Sequence, residues 1–129
     1  MERAVVALIN YNNQVLIGKK RKSHGKWFSE KWHIPGETIE PRESDEEALI
    51  RGIKEETGLD IQVGNYLASH VSPRGKRVNW YECRTQNNEI FPGSDLVEIR
   101  WATKEEAVEL CRYVADLWPQ EIKKYFNLI

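Results

Sequence analysis

The alternation of apolar and polar positions divides the chain into several short stretches and one long amphipathic one. Residues 3–9 form a valine-rich apolar run of strand length. Tyr11-Asn12-Asn13 is a turn signal, and residues 14–20 return as a second strand, which predicts a hairpin. Between Ser44 and Gly58 the spacing becomes helical, with Ala48, Leu49, Ile50 and Ile53 as apolar positions. Ser44 and Glu47 have the spacing of a capping box, and Gly58 falls where a C′ glycine ends a helix. Residues 61–69 alternate loosely, a turn follows at 72–76, and residues 77–84 alternate cleanly. In that second strand Val78, Trp80 and Glu82 share one face, and Asn79, Tyr81 and Cys83 the other. A short strand is expected at 97–101. Thr103 with Glu106 repeats the capping box and predicts a helix to about Tyr113. A last helix near 118–126 carries the stripe Trp118, Ile122 and Tyr125, which Ile129 continues. Strand, strand, helix, strands and helices in this order describe an α/β fold with a mixed sheet between helices.

Length and charge narrow the classes. A chain of 129 residues buries a sizeable core, and residues 1–129 read as one domain without repeats, linkers or low-complexity segments. A formal net charge of -1 gives no whole-protein attraction to nucleic acid or to an anionic membrane, so duplex DNA or RNA is not an expected partner. The apolar run at 4–9 is too short for a signal peptide or a membrane span. Cys83 and Cys111 are far apart in sequence and lack metal-ligand spacing; they read as reduced thiols of a cytoplasmic protein. Both a monomer and a homodimer fit these features.

The candidate chemistry lies around the central helix. Asp45, Glu46, Glu47, Glu55 and Glu56 lie on it and Glu43 stands just before it. Positions 52, 55 and 56 share a face. Clustered carboxylate oxygens suit Mg²⁺, with Mn²⁺ as the alternative. A helix this acidic also reads as a solvated face, the reading given to Asp45 and Glu46. The basic cluster Lys19-Lys20-Arg21-Lys22 is either a solvated strand end or a phosphate clamp. Trp27 and Phe28, in a loop, either pack or stack on a nucleobase. His24 and His33 read as surface or packing histidines.

Residues 36–59 resemble the Nudix box, G-x5-E-x7-R-E-U-x-E-E-x-G-U, where U is a bulky aliphatic residue. Glu43, Arg51, Ile53, Glu55, Glu56, Gly58 and Leu59 match it in register. Two positions depart from it. The opening glycine falls on Glu37, with Gly36 just before it, and the glutamate after the arginine is replaced by Gly52. A Glu37 in that loop is expected to resist the positive φ that glycine would adopt.

The resemblance implies an α/β/α sandwich and a Mg²⁺-dependent hydrolase of nucleoside diphosphates linked to another group. It implies Glu55 and Glu56 as principal metal ligands and catalytic residues, Glu43 as a supporting ligand, and Arg51 as the residue that orients the glutamates. A further carboxylate from a later loop is expected at Asp95, with Glu98 as competitor. Lys20 and Arg21 would meet the phosphates, and either Trp27 or Trp32 corresponds to the family's usual tryptophan, Trp32 being favoured by its distance to Pro35. For the glutamate missing at 52 three explanations stand: replacement by Asp95, Glu98 or Glu47; a single metal and slow turnover; or a degenerate domain that binds nucleotides or a partner. The substrate implied first is a (deoxy)nucleoside triphosphate. Nucleotide sugars, ADP-ribose and dinucleoside polyphosphates are the alternatives.

Overall fold

The computed structural model describes residues 2–23 and 25–129; the reading of His24 lies outside the described residues. In chain order the elements are β1 (Arg3–Tyr11), β2 (Gln14–Lys20), β3 (Trp32–His33), β4 (Gly36–Thr38), α1 (Asp45–Thr57), β5 (Gln62–Val71), β6 (Arg77–Arg84), β7 (Leu96–Ala102), α2 (Lys104–Leu110), α3 (Arg112–Ala115) and α4 (Gln120–Tyr125).

The sheet is mixed. β1 runs parallel to β6, from Arg3 opposite Arg77 to Asn10 opposite Arg84, and the other pairings are antiparallel. β1 and β2 pair only beside their turn, at Asn10–Val15 and Tyr11–Gln14. Beyond that the segment 32–38 bridges them, with β3 pairing β2 and β4 pairing β1. The strand period of two sends Val5, Ala7, Ile9 and Leu16 to one face, where they pack on Ala48, Leu49 and Ile53 of α1. Leu8, Val15 and Ile17 face the other way, onto Ala107, Val108, Trp118, Ile122 and Phe126. Helices therefore cover both faces, the expected three-layer α/β arrangement.

Both capping boxes form: Ser44 accepts from the Glu47 amide and Thr103 from the Glu106 amide. Gly58 ends α1 with φ 81°. Elsewhere the structure departs from the pattern. The helix predicted from Thr103 to Tyr113 breaks at Cys111 into α2 and α3. α4 starts only at Gln120, after Pro119, whose missing N–H suits the first turn. Ile129 is 65 % exposed and leaves the stripe to Phe126. Ile50 is exposed as well. Asp45 is no solvated acid: its Oδ2 accepts from Asn79 Nδ2 at 2.9 Å and Tyr81 Oη at 2.6 Å, tying the start of α1 to β6. Both cysteines are free and buried, and burial pushes their thiols up to about 12.

Candidate active site

The inward stripe of α1 is Ala48, Leu49, Gly52, Ile53, Glu56 and Thr57. Four of these are apolar or small and pack against the sheet. Glu56 is carried inward by the same periodicity, and only 2 % of it is exposed. Its Oε1 is buried and has no hydrogen-bond partner among the described residues. Burial pushes the carboxyl up to about 8; the Lys20 charge opposes this, and the neighbouring Asp95 and Glu37 carboxylates add to it. A buried carboxyl oxygen left unpaired is unfavourable in a folded chain, and such groups concentrate at functional sites.

Asp95 is held against Glu56 by backbone contacts. The Phe91 amide donates to Thr57 O and the Gly93 amide to Glu56 O, each at 3.0 Å, so the loop satisfies carbonyls that the end of α1 leaves free. Gly93 lies so close that a Cβ there would strike Glu55 O. The Arg21 amide donates to Asp95 O at 2.9 Å, and the Arg21 guanidinium donates to Ser94 O. Lys20 Nζ then donates to Asp95 Oδ2 at 2.7 Å. Burial acts to raise the Asp95 carboxyl, but the Lys20 hydrogen bond and charge outweigh it and hold the group below the ordinary range.

Arg51 organises the remaining acids. Its Nε and Nη2 donate to the two Glu43 oxygens at 2.7 and 2.8 Å, a bidentate pair, and Nη2 also donates to Thr38 O at 3.1 Å. Nη1 lies 3.7 Å from Glu37, 3.7 Å from Glu40 and 3.6 Å from Glu55. The Arg51 hydrogen bonds hold the Glu43 carboxyl down at about 2.

The two departures from the box meet in space. Glu37 is a strand residue of β4 opposite Val5, and its φ is not positive, so the strain expected there is absent. Its side chain lies directly over Gly52. A Cβ at 52 would stand 2.6 Å from Glu37 Cβ, 2.7 Å from Cγ and 2.9 Å from Oε2. Burial raises the Glu37 carboxyl against the lowering effect of Arg51.

A cleft of about 1000 Å³ brings several of these groups together. Glu37, Glu56, Asp95 and Lys20 line it with Trp27, Phe28, His33 and Tyr113. Trp27 is 47 % exposed and meets Phe28 edge-on at 5.7 Å. Lys20 Nζ sits 5.6 Å from the Phe28 ring centre. His33 donates from Nδ1 to Gly18 O at 2.9 Å, while its buried Nε2 has no partner among the described residues. Burial, with the Lys20 charge adding, lowers the imidazole to about 4, so it is neutral near pH 7.

Of the residues singled out from sequence, Glu56, Asp95, Lys20, Trp27 and Phe28 share this cleft. Glu43, Glu55, Arg51 and Arg21 do not line it. Arg51 takes both oxygens of Glu43, and Glu55 lies on the outer face of α1, its side chain 51 % exposed. Glu98 and Glu47 do not line the cleft either, and Glu47 caps α1. Sequence reasoning read Glu37 only as a strained loop position and His33 as a surface or packing histidine; both stand on strands of two or three residues and line the cleft. Among the described residues no three His, Cys, Asp or Glu side chains converge at metal-ligand spacing. Arg51 and Lys20 account for this, since they draw Glu43, Glu55 and Asp95 to themselves. The donors that face the cleft nonetheless suit a hard divalent cation: they are carboxylate oxygens, and the partnerless Glu56 Oε1 is one that a cation would satisfy. Of the cleft carboxylates singled out from sequence, Glu56 and Asp95 are the ones that would hold it.

The family pattern of the NUDIX domain matches residues 1–126. The chain belongs to the NUDIX family. It is 33% identical over 119 residues to the CTP pyrophosphohydrolase of Escherichia coli (strain K12), covering 91% of this chain and 87% of that protein. It is 27% identical over 118 residues to the nucleoside triphosphatase NudI of Enterobacter sp. (strain 638), covering 81% of this chain and 84% of that one. Among solved structures the MutT protein from Methanosarcina mazei Go1 superposes with a TM-score of 0.72 at 20% identity, over 98% of this chain and 90% of that one, a likeness of fold. NUDIX relatives named as pyrophosphohydrolases support a hydrolase acting on acid anhydrides.

Proposed function

We propose that this NUDIX protein is a Mg²⁺-dependent pyrophosphohydrolase that converts a (deoxy)nucleoside triphosphate to the monophosphate and pyrophosphate. The observation that carries this reading is the cleft in which Glu56, with its unpaired Oε1, and the Asp95–Lys20 pair adjoin the Trp27 and Phe28 rings. One wall suits phosphates and the other a base.

The overall change adds one water across a P–O–P bridge. The water oxygen ends on one phosphoryl group, and the bridging oxygen leaves with the other. Mg²⁺, or Mn²⁺ in its place, supplies charge neutralisation of phosphate oxygens and makes a bound water more acidic. The chain provides the rest. Asp95 fixes Lys20 at 2.7 Å, so its ammonium waits in one position for a phosphate oxygen. Glu56, walled off from solvent and held mostly protonated near pH 7 by burial, would give up that proton on taking the cation, in a low-dielectric setting where charge interactions are strong. Trp27 offers an exposed ring face for a base. Arg51 acts at one remove, by fixing Glu43 beside the loop that precedes α1.

Gly52, taken alone, favours a domain that binds nucleotides without turnover. A panel of nucleoside triphosphates, ADP-ribose, nucleotide sugars and dinucleoside polyphosphates with Mg²⁺ separates the readings. The hydrolase reading expects triphosphate turnover that Glu56→Gln abolishes while nucleotide binding survives. Binding without turnover anywhere on the panel would establish the other reading.

A further inference from the structure

Glu37 and Gly52 are the two places where the chain departs from the box, fifteen positions apart in sequence, and they are in contact. The box has glycine, then glutamate; this chain has glutamate, then glycine. The exchange is reciprocal in space. The Glu37 side chain occupies the volume in which a side chain at 52 would begin, with Oε2 at 2.9 Å from that Cβ position. Position 52 stands four residues before Glu56, one turn away on the same helix face. A carboxylate lying over 52 is therefore a neighbour of Glu56, and both line the same cleft. The partnerless Oε1 of Glu56 independently indicates that this corner awaits a ligand.

We propose that Glu37 supplies, from β4, the carboxylate that the box ordinarily places at position 52 of α1, and that it acts with Glu56 toward the divalent cation. The inference rests on the hydrolase reading above. Glu37 enters from a strand paired to β1 at Ala4–Thr38, Val5–Glu37 and Val6–Gly36, which holds its backbone in the sheet. Its present partners are the Thr38 amide at 3.1 Å and Arg51 Nη1 at 3.7 Å. The Thr38 amide engages Oε1, while the Arg51 contact to Oε2 exceeds hydrogen-bond length and leaves that oxygen room to turn toward a cation. Gly52 is then the condition for Glu37, since any side chain at 52 would displace it.

The test is Mn²⁺ binding to the whole protein, followed by the paramagnetic resonance signal of free Mn²⁺, alongside thermal melting and turnover. The variants are Glu37→Gln, Gly52→Glu and the double exchange Glu37→Gly with Gly52→Glu. Glu37→Gln keeps the shape, so melting stays near wild type while Mn²⁺ affinity falls on the order of tenfold or more. Gly52→Glu brings two side chains into one space and lowers the melting temperature. The double exchange restores the box and returns Mn²⁺ affinity to within a few-fold of wild type. Unchanged Mn²⁺ affinity in Glu37→Gln, with no recovery in the double exchange, would assign Glu37 to Arg51 alone and leave the hydrolase reading intact. A wild type that neither binds Mn²⁺ nor turns over any substrate would overturn both.

Discussion

Replacing a glycine in the middle of a helix with alanine ordinarily stabilises it by about 1 kcal/mol, because alanine loses less backbone entropy on folding. Gly52 lies inside α1, eight positions after its N-cap, yet Gly52→Ala is expected to destabilise the protein. The added Cβ would lie 2.6 Å from Glu37 Cβ and 2.7 Å from Cγ, well inside van der Waals contact. These are not the free end of a side chain. Glu37 Cβ is one bond from a strand paired with β1, and α1 is held by its packed apolar stripe, so neither side yields cheaply. Overpacking of this kind amounts to about 1–3 kcal/mol. Set against the propensity gain, the net loss is about 1 kcal/mol, or roughly 3–5 °C in melting temperature at this chain length. In a Glu37→Gly background the obstruction is gone, and the same Gly52→Ala change should stabilise by about 1 kcal/mol. Urea denaturation of the four proteins closes a double-mutant cycle with a coupling of about 2 kcal/mol. If Gly52→Ala stabilises the wild type and the coupling is near zero, Glu37 does not occupy the space over position 52.

Three further outcomes follow from the same geometry. Gly93→Ala drives a Cβ against Glu55 O, so the loop must lift; a loss of about 1–3 kcal/mol in stability is expected together with a fall in kcat as Asp95 moves, and a variant with wild-type melting and kcat would refute the docking of that loop on α1. His33 has its folded-state pKa lowered from 6.5 to about 4, so the unfolded chain takes up the proton first; stability is complete above about 6.5 and declines as pH falls toward about 4, by up to about 3 kcal/mol, and His33→Asn should flatten that part of the stability–pH curve. Trp27→Ala removes the exposed ring and should raise KM for a nucleotide on the order of tenfold with kcat little changed; an unaffected KM would place the base elsewhere in the cleft.

How far the sequence discloses this molecule depends on how local the signal is. α1 is legible because its caps, its apolar spacing and its terminal glycine all fall within fifteen residues. The long strands are legible because each is seven or more residues, enough for alternation to register. β3 and β4 are two and three residues long, below any period, and they exist only because the diverging β1 and β2 present unpaired edges to the segment between them. The cleft placement of Glu37 and His33 was hidden for that reason. Asp45 was misread because its partners, Asn79 and Tyr81, arrive from more than thirty positions away. Glu56 was recoverable from the register of the box, whereas the separation of Glu55 and Glu43 from the cleft depends on Arg51, which sits at a distance from each that spacing alone does not give. The signal for Glu37 was nonetheless present: two departures in one motif that exchange the same two residue types are more economically explained as one event than as two.

The proposed reaction is hydrolysis of a phosphoanhydride bridge of a nucleoside triphosphate in this cleft, releasing pyrophosphate and using the Glu56 corner. The most direct measurement is ³¹P NMR of CTP, as the test triphosphate, incubated with Mg²⁺ and either the wild type or Glu56→Gln. The account predicts growth of the pyrophosphate and monophosphate signals with the wild type alone. Release of orthophosphate with the diphosphate, or equal turnover by Glu56→Gln, would contradict it.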